Sequence, residues 1–192
     1  MSDLFQAPDV SDRLLLGLVP PPALAHQIAM LTRRLRGELR LTGRVVEEGQ
    51  ISVGLHDLGD HAGLRRDIVQ MAAEAAAAAP RPGAIELRFD RALVRFGAKG
   101  DMDLVLRSST PLRALSDFQG ALGHAMACSG LGRLVQRPFE PEIIVIRNVR
   151  TFGEAPMEAI GWNATSMVLL HALLGRAEMV PLARWSLLAQ ES

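Results

Sequence analysis

The chain has 192 residues, 48% hydrophobic and 22% charged, with Lys+Arg and Asp+Glu at 21 each. That balance excludes disorder, and it removes the strong cationic field by which proteins hold duplex DNA without regard to sequence. One cysteine, Cys128, excludes an intramolecular disulfide and a cysteine-rich zinc site, and it fits a reducing compartment.

The start, Met1-Ser2-Asp3-Leu4-Phe5, lacks the basic and apolar regions of a signal peptide. No apolar run reaches the roughly 20 residues that cross a bilayer. The expectation is one cytoplasmic domain over residues 1–192, monomeric and without a membrane partner. Nearly all the positive charge is arginine, Lys99 being the only lysine. That bias has two readings, genome composition or guanidinium forks that suit phosphate.

In chain order, Arg13 to Val19 is an apolar run that Pro20, Pro21 and Pro22 stop, as a buried strand would be. The prolines seat a helix on which Leu24, Ile28, Leu31, Leu35 and Leu39 recur at helical spacing, with Gly43 as its end. From Gln50 to Leu58 the period changes to two. Ile51, Val53 and Leu55 fall on one face, and Ser52, Gly54 and His56 on the other. A second helix is predicted over Gly63 to Ala79.

Short strands follow over 84–89, 92–96 and 103–107. Ser109 or Thr110 then caps a third helix, with Pro111 in its first turn and Leu115, Phe118, Leu122 and Met126 as its buried stripe. Beyond Pro138 and Pro141, Glu142 to Arg147 reads as a strand. Val168 to Leu173 and Glu178 to Leu187 close the chain, with Met167 to Leu174 ambiguous between helix and strand. A helix of about five turns precedes the strands at Ser52 and at Glu142, an arrangement that two related halves would produce.

The sequence holds no glycine loop ending in Lys-Ser/Thr, no G-x-G-x-x-G, no H-E-x-x-H and no G-x-S-x-G. The five histidines, His26, His56, His61, His124 and His171, share no ligand spacing. His26 and His124 read as helix-surface residues, and His171 as a partly buried one. His56 lies on the predicted face of Ser52. Four residues along a strand span about 13 Å, which excludes a direct Ser52–His56 dyad.

Several fragments, in order, carry a resemblance: Asp12-Arg13-Leu14, Pro20-Pro21-Pro22, Leu58-Gly59-Asp60 and Phe89-Asp90-Arg91-Ala92-Leu93. Phe139-Glu140-Pro141, Leu173-Leu174-Gly175-Arg176 and Leu182-Ala183-Arg184-Trp185 continue it. Over residues 12–187 the chain resembles the 2′-5′ RNA ligase (LigT-like) branch of the two-histidine phosphoesterase superfamily. The resemblance implies a bilobal α+β fold, with two antiparallel sheets facing a central cleft and helices outside. It implies two His-x-Thr/Ser motifs, in which one imidazole activates water or a ribose hydroxyl and the other protonates the leaving oxygen. It implies neither metal nor nucleotide cofactor, and RNA ends or a small phosphorylated nucleotide as partners.

At all four motif positions this sequence differs. Ser52 and Glu142 stand in the histidine positions, Gly54 and Ile144 in the hydroxyl positions. A shifted alignment with Gln50 at the first histidine restores no imidazole. Arg147 falls where the family carries an arginine that can bind an anion. Three readings stay open. The first is a binding protein without two-histidine activity, with Gly54, Ile144, His56 and Arg147 lining its site. The second is an enzyme rebuilt on Glu142 with Ser52 or His61. The third is a non-catalytic interaction module whose cleft is filled.

Overall fold

Three consecutive prolines separate the first two elements, β1 (Asp12–Leu18) and α1 (Pro22–Glu38). Proline fixes φ for the first helical turn, where its missing N–H costs nothing. The computed structural model describes residues 10–96, 100–150, 153–176 and 179–189. Residues 1–5, Lys99 and Glu178, on which parts of the sequence reading rest, lie outside them.

The chain continues through β2 (Arg44–Val45), β3 (Val53–His61), α2 (Arg66–Ala78), β4 (Ile85–Phe96), β5 (Met102–Arg107) and α3 (Arg113–Cys128). It ends with β6 (Glu142–Arg147), β7 (Glu154–Ala164), β8 (Ser166–Leu173) and β9 (Met179–Ser186). A short 3-10 turn stands before β3 and another follows α3. The architecture is α+β, with an all-antiparallel sheet.

The sheet corrects the expected arrangement in one respect. Its strands form a single path, β7-β4-β5-β6-β3-β1-β8-β9, with β2 attached to β6, rather than two separate sheets. The two groups of strands in this path, β7-β4-β5-β6 and β3-β1-β8-β9, are joined thinly. They meet between β3 and β6 through one residue pair, Val53 and Ile143.

Alternation along each strand sends one set of side chains toward the helices. Leu14, Leu16, Val53, Leu55, Leu104, Leu106, Ile143 and Val145 are buried there, together with Leu115, Phe118, Leu122 and Met126 of α3. Each such side chain is worth about 1.5–3 kcal/mol of burial. Arg13, Leu15, Arg107, Glu142 and Ile144, on the alternate positions, face away from the helices and line a cavity.

Several boundaries differ from the sequence reading. Residues 85–96 form one strand rather than two, with an irregularity in the β4–β7 register between Phe89 and Arg91. Ser109 does not cap α3: its N–H and hydroxyl donate to Asp90, at 2.8 and 2.7 Å, tying the middle of β4 to the loop before the helix. Residues 167–173 resolve as strand. Gly43 does not end α1, which stops at Glu38; at φ +132° it lets β2 approach β6. A Cβ there would stand 2.5 Å from the Arg147 carbonyl oxygen. Among the described residues, no helix is long and apolar enough to cross a membrane.

Candidate functional site: an arginine-lined cleft

The central strands β3 and β6 share a device that decides which residues reach the cavity. In β3 the register with β1 slips between Gly54 and His56, making Leu55 an extra residue. In β6 the register with β5 slips between Ile144 and Ile146, making Val145 an extra residue. A bulge places two successive side chains on one face and reverses the alternation beyond it. Leu55 and His56 are accordingly both buried, as are Val145 and Ile146.

The residues left facing the cavity have the same spacing in both strands. They are Ser52, Gly54 and Asp57 from the first, and Glu142, Ile144 and Arg147 from the second. Ser52 and Glu142, with Gly54 and Ile144, thus come together across the Val53–Ile143 junction.

His56 does not join them, and its expected place on the face of Ser52 is corrected by the bulge. It is fully buried on the helix side, with Nε2 3.1 Å from the carbonyl oxygen of Gln119 in α3. Gly123 makes room for it: a Cβ there would lie 3.3 Å from the imidazole and 2.9 Å from Val135. Burial, the largest influence, holds this imidazole below its ordinary value; the Gln119 carbonyl opposes that, and the charge of Arg137 adds to it.

His61 is also displaced from its expected position. It ends β3, with Nε2 2.9 Å from the Leu58 carbonyl oxygen, and it is not among the lining residues that a partner of Glu142 would join. His171 faces Asp12 at 2.5 Å on the helix side of the sheet, His26 pairs with Glu48, and His124 lies on the exposed side of α3. None of the five histidines lines the cavity.

Arginine lines it instead. Arg13, Arg44, Arg95, Arg107, Arg147 and Arg176 surround a cavity of about 1140 Å³, against the carboxylates Asp57, Glu140 and Glu142. Glu142, 16% exposed, accepts hydrogen bonds from Arg95 and, at 2.7 and 3.0 Å, from Arg107. Arg107 also reaches Glu140 at 2.6 Å. Asp103, almost wholly buried, lies 3.7 Å from Arg95 and 3.8 Å from Arg147, and accepts from the Asn148 N–H. Arg13 is held bidentately by Asp60, at 2.5 and 3.0 Å.

Arg147 enters this group because of the β6 bulge. Partial burial is the main influence holding its guanidinium below the ordinary value; Asp103 opposes this, and Arg13, Arg44 and Arg95 reinforce it by repulsion. The Arg44 guanidinium and the Ser52 hydroxyl make no hydrogen bond or ion pair among the described residues.

Arg147 is reached from the sequence only through the resemblance, and Arg13, Arg44, Arg95, Arg107 and Arg176 are not reached as site residues. Period two does place Asp103 and Arg107 on one face of β5, and that was the available signal. Among the described residues, no group of His, Cys, Asp and Glu has the arrangement of a metal site.

No protein-family model matches the chain, and no curated protein matches it by sequence. Solved structures do. The apo form of Escherichia coli LigT superimposes with a TM-score of 0.70 at 20% identity, covering 93% of this chain and 98% of that one. A protein of Thermus thermophilus gives 0.71 at 14% identity over 93% and 100%. A phosphoesterase gives 0.67 at 20% identity over 91% and 98%. The fold is therefore LigT-like. Escherichia coli LigT has also been crystallised with 3′-AMP, ATP, phosphate and NADP+.

Proposed function

We propose that this LigT-like chain is a divergent relative of the 2′-5′ RNA ligases and 2′,3′-cyclic phosphodiesterases. In this reading its cleft binds a small phosphorylated nucleotide and no longer carries two-histidine chemistry. One observation carries the proposal: six arginines line a cavity that no histidine enters. Two-histidine catalysis needs one group to take a proton and another to give one, each within hydrogen-bond reach of the phosphate. The cleft retains the cations that hold an anion and lacks the imidazoles. The nucleotides and phosphate found with Escherichia coli LigT support the ligand class. Phe139 and Ile144, beside the arginines, offer a base an apolar surface.

A rebuilt active site on Glu142 is disfavoured, because that carboxylate already accepts from Arg95 and Arg107. His61 is directed elsewhere. A filled interaction module is disfavoured by the open, cation-lined cavity.

Calorimetric titration with 3′-AMP, inorganic phosphate and adenosine tests the proposal. We expect 3′-AMP to bind at least tenfold more tightly than adenosine, with an affinity that falls as salt rises. Equal affinity for adenosine, or no binding by 3′-AMP and phosphate, refutes it.

A further inference from the structure

Followed across the cleft floor, the charges form a row: Glu140, Arg107, Glu142, Arg95, Asp103, Arg147, Arg44. Each ion pair in it joins opposite signs, from Arg107 with Glu140 and Glu142, through Arg95 with Glu142 and Asp103, to Asp103 with Arg147. The alternation breaks at the last step. Arg44 and Arg147 stand directly opposite each other in the β2–β6 register. Opposed side chains share a face, with Cβ atoms about 5 Å apart, and like charges so placed repel. Both line the cavity, and Arg44 has no acidic partner among the described residues.

Nothing in the packing asks for a cation at position 44. β2 has two residues, Arg44 is exposed, and the neighbouring Val45 supplies the apolar contact. The close approach that sets the pair opposite each other depends on Gly43, whose left-handed backbone brings β2 against the Arg147 carbonyl. The row lacks one anion, and the gap opens into the cleft.

We infer that Arg44 and Arg147 form the subsite for the ligand's terminal phosphate, at the end of the row rather than over Ser52 and Glu142. The inference rests on reading the cleft as an anion site. A phosphomonoester dianion supplies the one anion the row lacks, with charge to spare, and offers three free oxygens to the two forks. A carboxylate brings one charge, and an internal diester brings one charge with two oxygens blocked. Over Ser52 and Glu142 an anion would meet a carboxylate whose two cations are already committed to it. The ligand class so defined ends in a phosphomonoester.

Titration of wild type, R44Q and R44E with inorganic phosphate, with acetate as comparison, tests this. R44Q is expected to weaken phosphate binding about 10- to 100-fold, the worth of one charge-assisted hydrogen bond. R44E is expected to abolish binding yet raise Tm by about 1–4 °C, because its carboxylate completes the alternation. A purely structural Arg44 would lower Tm in both variants, which overturns the inference. Phosphate affinity unchanged in R44Q, or acetate bound as tightly as phosphate, also overturns it while leaving a cleft that binds anions. Absence of phosphate and 3′-AMP binding in the wild type refutes the cleft reading itself.

Discussion

Replacing Glu142 by Gln is expected to tighten the hold of the cleft on phosphate while weakening the fold. Two effects oppose each other. The wild-type carboxylate repels any ligand anion in the cavity. At about 10 Å and an effective dielectric constant of about 20, one unit charge is worth about 1.7 kcal/mol before salt screening, so its removal tightens binding up to roughly tenfold. The same change takes from Arg95 and Arg107 the carboxylate that both of them share. Breaking a fully buried pair costs about 3–5 kcal/mol. Glu142 is partly exposed, and its arginines keep Asp103 and Glu140, so about 1–2 kcal/mol is expected. In a chain of this size that lowers Tm by about 2–8 °C. Paired titration and melting of E142Q check both signs. Weaker phosphate binding in E142Q would make the carboxylate a ligand-binding group and restore the reading of a rebuilt active site.

The second large effect concerns a histidine far from any chemistry. His56→Leu is expected to cost about 2–4 kcal/mol, because a buried ring that anchors three groups is lost. The Gln119 carbonyl can only accept, so Nε2 carries the proton. Nδ1 then accepts from the Gln136 N–H at 3.3 Å, with the Gln119 side-chain amide at 3.4 Å. Protonating Nδ1 would turn that acceptor toward two donors.

The fold therefore favours neutral His56, and the direction of its shift gives the pH dependence. As pH falls below the ordinary value of 6.5, the unfolded chain takes up a proton before the folded chain does. The stability that His56 supplies is full above 6.5 and declines from there down to its lowered folded value. Melting wild type and H56L from about pH 8 to about pH 5 checks this. Wild type should lose Tm over that range, and H56L should start lower and lose less. His26→Ala and His124→Ala, both on exposed positions, should stay within about 0.5 kcal/mol of wild type. An H56L variant as stable as wild type contradicts the assignment.

Much of the frame was legible because burial imposes simple periods. The stripe Leu115, Phe118, Leu122 and Met126 announced α3, and all four are buried. Period two put Ser52 with Gly54, and Glu142 with Ile144, and the structure brings these four to one cavity. The same period failed where each central strand takes an extra residue. It assigned His56 to the cleft and gave no reason to place Asp57 there, since nothing in Val53-Gly54-Leu55-His56 marks Leu55 as a bulge. By simple alternation Arg147 would face away from Glu142.

The arginine cluster was hidden for another reason. Arg13, Arg44, Arg95, Arg107 and Arg147 come from five strands, and only the sheet order makes them neighbours. β7 escaped notice as well. Pro156 and Gly161 interrupt an edge strand whose side chains are nearly all exposed or half-buried. Gly161 is needed there, since a Cβ would stand 2.1 Å from the Leu87 carbonyl oxygen.

A cleft that binds nucleotide without turning it over differs from a rebuilt active site and from a filled module in one assay. The most direct measurement follows 2′,3′-cyclic AMP in a metal-free reaction, with equilibrium binding of 3′-AMP determined on the same protein. Saturable 3′-AMP binding is expected, with cyclic-phosphate cleavage no faster than in buffer alone. Rapid metal-independent cleavage that disappears in Ser52→Ala or Glu142→Gln would contradict it.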